Sequence, residues 1–285
     1  MIFLFFTLLF ILSFPSFHLL RPFFLFLFFL LMIYPSSLSI FERLPFELLW
    51  HVFSFASPKE RCVARQVSRQ LRALCSHPVF WQAIDLTHKS LWQLNELQHI
   101  LTPHLEHIQS IFIQGVRDDS IRYLLNNCPN LEELSVRRWR TLSDHALKCK
   151  EHKKLRIFAL HGDDTPYTAI DTNSLSRLVL RLPNLQNLSL IAHAHIHIPT
   201  LLKTIQKDPP QQLQSITLPI YHHDQQYDGM AVSSDYAEQL LETCPLLEQV
   251  FFVPNVGGGC YNIDSNNNKL CPLLVHHRRI IVPQQ

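Results

Sequence analysis

Residues 44–86 open with Leu44-Pro45-Phe46-Glu47-Leu48-Leu49-Trp50-His51-Val52-Phe53-Ser54-Phe55-Ala56-Ser57. They close with Val67-Ser68-Arg69-Gln70-Leu71-Arg72-Ala73-Leu74-Cys75-Ser76-His77-Pro78-Val79-Phe80-Trp81-Gln82-Ala83-Ile84-Asp85-Leu86. Pro45 suits the first turn of a helix, where its missing N–H is not needed. Leu48, Leu49, Val52 and Phe53 then share one helical face, with Glu47 near the positive N-terminal end. Ser57-Pro58 ends that helix and opens another, and Glu60 stands three residues after Ser57 as a capping box requires. Val63, Val67, Leu71 and Leu74 continue an apolar stripe until His77-Pro78 stops it. Three short helices bury too little surface to stand alone, since chains below about 70–80 residues usually need a staple or a partner. No cysteine pattern supplies a staple, so the spare apolar face should be covered by something else.

The stretch resembles an F-box, the helical module that docks a substrate receptor onto the Skp adaptor of an SCF-type ubiquitin ligase. The match runs through Leu44, Pro45, Glu47, Leu48, Leu49, Val52, Phe53, Phe55, Val67, Arg69, Leu71, Leu74, Pro78, Trp81, Ile84, Asp85 and Leu86. Departures are Ser68 and Leu71 where Cys and Trp are common, Glu60-Arg61 where an acidic-Leu pair is common, and Ala56 where Leu is usual. The resemblance implies that Leu44, Pro45, Leu48, Leu49, Val52 and Phe53 contact the Skp adaptor, with Val67 and Trp81 completing the module, and that cullin is engaged through the adaptor. It implies no chemistry of the chain's own.

From residue 105 onward an apolar-x-x-apolar-x-apolar pattern recurs. It appears as Ile108/Ile111/Ile113, Leu131/Leu134/Val136, Leu155/Phe158/Leu160, Leu185/Leu188/Leu190, Leu213/Ile216/Leu218 and Leu247/Val250/Phe252. The first residues of successive units lie 23 to 34 positions apart, overlapping and somewhat exceeding the leucine-rich-repeat range. Three units share a lead-in: Cys128-Pro129-Asn130-Leu131, Leu182-Pro183-Asn184-Leu185 and Cys244-Pro245-Leu246-Leu247. The period-2 residues predict a strand with one buried face. Stripes such as Ile121/Leu124/Leu125 and Ala237/Leu240/Leu241 predict helices between strands. One such unit cannot bury its own core, so units stack. The lead-in is similar to the repeats that follow F-boxes in the F-box/leucine-rich-repeat family. An unrelated α/β domain with a parallel sheet is the alternative.

The expected fold is therefore α/β: a three-helix F-box followed by a short, irregular leucine-rich-repeat solenoid, with parallel strands on one face and helices on the other. Residues 1–40 form a hydrophobic low-complexity segment, 41–86 the F-box, 87–253 the repeats and 254–285 a flexible or degenerate tail. His161–Pro166 and His222–Gly229 are turn-rich and read as loops. Gly257–Gly259 and Asn266–Asn268 read as flexible sequence.

Residues 1–40 use ten residue types and hold more than half of the 20 phenylalanines. A secretory signal fits poorly, lacking a basic n-region and a small-x-small site. A membrane anchor is physically possible, although Pro15, His18, Arg21 and Pro22 interrupt it. Arg43, Lys59 and Arg61 would then keep the body cytosolic. The third reading is a translated pyrimidine-rich leader, with Met32 as the true start. Membrane contact is expected only if residues 1–34 are genuine. Otherwise the expected location is cytoplasmic or nuclear.

Composition excludes several classes. A net charge of +2 lacks the basic bias of a nucleic-acid footprint. Seven cysteines without C-x-x-C or zinc-finger spacing fit a reducing compartment. No G-x-G-x-x-G, Walker A or G-x-S-x-G occurs, which argues against phosphate-cradling loops and a nucleophile elbow. No catalytic residue, cofactor or metal is expected. His193, His195 and His197 alternate along one strand face, but neighbouring parity reads them as solvated. The pairs His222-His223 and His276-His277 read as surface. Cys128 and Cys244 read as buried structural thiols, and Ser143-Asp144-His145 as a helix start capped by Ser143. Arg137-Arg138-Trp139-Arg140 is the best candidate for an acidic or phosphorylated ligand, against a solvated loop with Trp139 tucked on the repeat edge.

Residues of opposite parity to the buried set should line the open face of the sheet. Phe112, Glu133, Arg137, Ile157, His161, Ile191 and Phe251 are the expected contacts for an unknown protein substrate, with Phe112, Ile157, Ile191 and Phe251 as an exposed apolar patch. The resulting expectation is a non-catalytic substrate receptor of a ubiquitin ligase. The rival is a repeat scaffold without a ligase role, membrane-tethered if residues 1–34 persist. A more distant rival is a membrane-anchored enzyme built around the histidines.

Overall fold

The computed structural model describes residues 45–162, 168–191, 198–220, 238, 240–254, 274–276 and 279–281. Two compact units meet between Asp85 and Leu86. Leu44, the alternating histidines 193–197, the 222–229 and 257–259 segments and the whole hydrophobic leader lie outside the described residues. No helix among the described residues is long and apolar enough to cross a membrane.

The first unit is helical. Helices α1 (Phe46–Ser54), α2 (Pro58–Val67), α3 (Arg69–Cys75) and α4 (Val79–Gln82) follow one another closely. Pro45 is the N-cap residue of α1. The capping box between Ser57 and Glu60 is present: the Ser57 hydroxyl accepts from the Glu60 N–H at 3.3 Å, and the Glu60 carboxylate accepts from the Ser57 N–H at 2.6 Å. The continuous stripe expected from Val63 to Leu74 is instead broken at Ser68. This residue adopts φ −151°, ψ 162°, and its hydroxyl accepts from the Leu71 N–H at 3.1 Å. Serine competes well for such a capping role, so the stripe becomes two helices and the module has four helical segments rather than three. Leu49, Ala64, Leu71, Leu74 and Trp81 are buried in this unit. The Trp81 indole N–H donates to the Cys75 carbonyl at 2.8 Å.

Strand β1 (Ala83–Leu86) spans the boundary between the units. In the second unit, α5 (Leu94–Leu101) precedes the strands β2 (Ser110–Gln114), β3 (Glu133–Arg137), β5 (Ile157–His161), β7 (Asn187–Ile191), β8 (Ser215–Ile220) and β9 (Gln249–Pro254). These pair in parallel and in sequence order. Helices α6 (Asp118–Asn127), α7 (Thr172–Leu180) and α8 (Ile198–Lys207) fill three crossovers. The crossover between β3 and β5 carries no helix. It holds β4 (Leu142–Ser143), which pairs in parallel with β6 (Thr168–Ala169). The helix start expected at Ser143 is thus a turn. The Ser143 hydroxyl donates to Asp118, its N–H donates to Asp118 at 3.0 Å, and its carbonyl accepts from Ala146 at 3.0 Å. Two short strands, β10 (Leu274–His276) and β11 (Arg279–Ile281), pair antiparallel within residues 254–285, the segment expected to be a flexible or degenerate tail.

The units repeat at the level of single hydrogen bonds. Before five of the strands, β3, β5, β7, β8 and β9, two consecutive N–H groups share one carbonyl of the preceding repeat. Glu132 and Glu133 use Gln109, Arg156 and Ile157 use Glu132, and Gln186 and Asn187 use Arg156. Gln214 and Ser215 then use Gln186, and Glu248 and Gln249 use Gln214. The lead-in recurs as a turn: Leu131 donates to Cys128, Leu185 to Leu182 and Leu247 to Cys244. Leu213 donates to Pro210 in the same way, a fourth copy whose sequence disguises it. The Asn130 and Asn184 amides reach back to the Glu106 and Lys153 carbonyls at 2.6 and 2.7 Å. His152 occupies the equivalent lead-in position before Leu155, where its Nε2 donates to the Cys128 carbonyl at 2.9 Å. Every pattern residue from Ile108 to Val250 is buried.

The residue after each of three strands donates to the neighbouring unit: Gly115 to Arg137 and Arg138, Arg138 to His161, and Gly162 to Ile191. Arg138 therefore stands where its counterparts are glycine, and it adopts φ 47°. A left-handed residue with a Cβ costs about 1–2 kcal/mol, partly offset by the extra chain entropy of glycine. Arg138→Gly should stabilise the second unit by up to about 1 kcal/mol. An unchanged or lower urea midpoint would contradict that.

Candidate functional site

The helical stripe expected to meet the adaptor divides in the structure. Leu49, Val52, Phe53 and Trp81 are buried inside the first unit, where they hold the helices together. Pro45, Leu48 and Val67 remain exposed. Phe46 (51%), Phe55 (53%) and Val79 (50%) join Leu48 (42%) among the exposed large apolar side chains. Phe55, the C-cap residue of α1, is seven residues from Leu48, hence on the same side of the helix. Phe46, Phe55 and Val79 are not among the residues expected to meet the adaptor, because amphipathicity assigns apolar residues to a core by default. The Phe46 ring lies 5.8 Å from Trp50, which also stacks at 4.5 Å on Phe80. Phe46 thus rises beside a packed aromatic floor of Trp50 and Phe80.

Arg61 anchors that floor. Its guanidinium donates to the Phe53 carbonyl at 3.1 Å, to Ser54 at 3.2 Å and to Phe80. It also lies 5.0 Å from the Phe80 ring centre. Burial pushes its pKa down from the ordinary guanidinium value, with Cys75, Glu60 and Cys62 opposing. An Arg in place of the common apolar residue therefore serves as a cap on the C-terminal end of α1.

The open face of the parallel sheet consists of three rows set by the strand register. The first row is Ser110, Glu133, Ile157, Asn187, Ser215 and Gln249. The second is Phe112, Ser135, Ala159, Ser189, Thr217 and Phe251, and the third includes Gln114, Arg137, His161 and Ile191. Arg137 is exposed, whereas Phe112, Glu133, Ile157, His161, Ile191 and Phe251 are half-buried. The expected contiguous apolar patch is not what the register builds. Phe112 and Phe251 stand at opposite ends of one row, five strand spacings or about 24 Å apart. The row between them carries small side chains, and Ile157 and Ile191 fall in the other two rows. Parity along one strand could not reveal which residues become lateral neighbours. His161 Nε2 lies 2.8 Å from the Ser189 hydroxyl.

Trp139 is buried, fixing the loop that carries exposed Arg138 and Arg140 just after the exposed strand-end residue Arg137. Among the described residues no cluster of His, Cys, Asp or Glu could hold a metal ion. Burial pushes the Cys75 and Cys128 thiols up to about 12 and Cys244 up to about 11. A pKa raised in the folded state stabilises the fold below the unfolded value of about 9. That contribution is lost as pH rises through the folded values. The urea midpoint should therefore fall between about pH 9 and 12, and less steeply in Cys128→Ala/Cys244→Ala. Equal slopes in the two proteins would refute this.

Residues 41–87 match the F-box-like family model. The chain carries an F-box-like domain, which supports an F-box protein. Among curated proteins none matches the chain.

Proposed function

We propose that the chain is a substrate-recognition subunit of an SCF-type ubiquitin ligase. It docks on a Skp-family adaptor through residues 41–87 and reaches cullin through that adaptor. The second unit is a short leucine-rich-repeat solenoid that holds a protein cargo on its open sheet face, across Phe112, Glu133, Arg137, Ile157, His161, Ile191 and Phe251. F-box proteins are generally non-catalytic receptors, and this chain would contribute effective concentration rather than chemistry. It would work in the cytoplasm or nucleus. The observation that carries the proposal is the exposed apolar set Phe46, Leu48, Phe55 and Val79 on a module that matches the F-box-like family.

The test uses exposed residues, because Leu49→Ala would damage the module's own core by about 2–5 kcal/mol. Phe46→Ser with Leu48→Ser should abolish co-purification of Skp and cullin and leave the melting temperature unchanged. Retained adaptor binding would favour a scaffold without a ligase role. On the cargo side, Phe112→Ala, Arg137→Ala and Phe251→Ala together should lose substrate and keep the adaptor. Retained substrate would move recognition to the loops or to residues beyond 254.

A further inference from the structure

We propose that a cleft in the second unit binds a phosphate-class anion carrying two or more negative charges. The cleft has a volume of about 450 Å³, and Lys148, Lys150, Arg177, Arg181, Ser174 and Asp144 line it. Four basic residues and one acidic residue are thus gathered along it. The Asp144 carboxylate is engaged in accepting the Asp171 N–H at 2.8 Å, at the start of α7. Among the described residues none of the four cations has an ion-pair partner. Arg177 and Arg181 lie at the last turn of α7, where the helix dipole favours a cation. The Lys148 Nζ lies 3.3 Å from the neutral acceptor His145 Nδ1, which offsets no charge, and like charges gathered in one cleft repel.

The segment that carries the two lysines is held from both sides. The Asn126 amide donates to the Lys148 carbonyl at 3.2 Å and accepts from the Lys150 N–H at 3.1 Å. The Arg181 guanidinium donates to the Cys149 carbonyl at 2.6 Å. The backbone of residues 148–150 is therefore set before any ligand arrives, which lowers the entropy cost of binding. Arg177 keeps its planar fork for bidentate contact with oxyanions, and the Ser174 hydroxyl can donate beside it. The cleft is larger than one phosphate group needs and falls within the range of small-molecule sites. Either a free polyphosphate or a phosphorylated side chain with its flanking peptide supplies the same chemistry. None of its lining residues belongs to the proposed adaptor face or to the rows of the open sheet face.

Calorimetric titration of pyrophosphate into the full chain tests the proposal. Saturable binding at one site is expected, weakening as salt is raised. Lys148→Glu/Arg177→Glu should weaken it at least tenfold, and Lys148→Gln/Arg177→Gln severalfold. Lys203→Glu/Lys207→Glu, an exposed pair on α8, should leave it unchanged. Absence of saturable heat at millimolar pyrophosphate, or equal affinity in all variants, would overturn the assignment. Tighter binding of a phosphoserine peptide than of pyrophosphate assigns the site to phosphorylated cargo, and the reverse order to a free polyphosphate. Adaptor co-purification should persist in every variant, so failure here is distinguishable from failure of the receptor role.

Discussion

Arg61→Ala should unfold the helical module while leaving the sheet unit intact. The side chain is buried, and its guanidinium serves three carbonyls on two helices as well as the face of Phe80. Hydrogen bonds to a charged donor contribute about 1.5–3 kcal/mol each, and losses within one network do not add fully. A total of about 3–5 kcal/mol is expected, comparable to breaking a buried ion pair. A module this small has little stability in reserve. Hydrogen exchange resolved by peptide should show residues 46–82 losing protection and residues 108–190 retaining it. Adaptor co-purification should disappear with the fold, in contrast to Phe46→Ser/Leu48→Ser, where binding is lost and the fold remains. Arg61→Ala with undiminished protection in residues 46–82 would show that the three carbonyls find other donors.

Gly115→Ala should do comparable damage in the second unit. Gly115 has φ 68°, and a Cβ there would stand 1.9 Å from the Ser90 carbonyl oxygen and 2.4 Å from its carbon. The obstacle is backbone, so no rotamer change relieves it. Gly115 also binds both flanks: its N–H donates to Arg137 and Arg138, and its carbonyl accepts from Trp92 at 3.0 Å. Moving it disturbs the edge where Trp92, buried and bonded to the Leu86 carbonyl at 2.8 Å, covers the start of the unit. A left-handed conformation alone costs about 1–3 kcal/mol for a residue with a Cβ. The clash should carry the total above about 3 kcal/mol, in the range reserved for named steric faults. Limited proteolysis should then cut between residues 86 and 117 first. A urea midpoint within error of the parent would mean that residues 88–92 move aside freely.

Arg138 makes the instructive comparison. It occupies the same post-strand place with the same sign of φ, yet it is exposed and tolerates a side chain. The difference lies in what stands opposite the Cβ, which is not a property of either residue.

The sequence by itself determined the elements whose signals are local. Ser57 and Glu60 announce a capping box, the apolar triplets announce strands with one buried face, and Cys-Pro-Asn-Leu announces the turn before them. Each depends on neighbours within a few positions, where dihedral preference and burial period act. The F-box resemblance was legible for the same reason, its marks lying within 43 consecutive residues, 44–86. Only the tertiary structure decided the rest. It broke the Val63–Leu74 stripe at Ser68, gave Arg61 its three carbonyls, and buried Leu49, Val52 and Phe53 while exposing Phe46, Leu48 and Phe55. It also placed Phe112 and Phe251 at opposite ends of one row and brought Lys148 and Lys150 beside Arg177 and Arg181. The physical reason is common to all of these. Parity and periodicity state which face a side chain takes, whereas register and packing between distant segments state what that face meets.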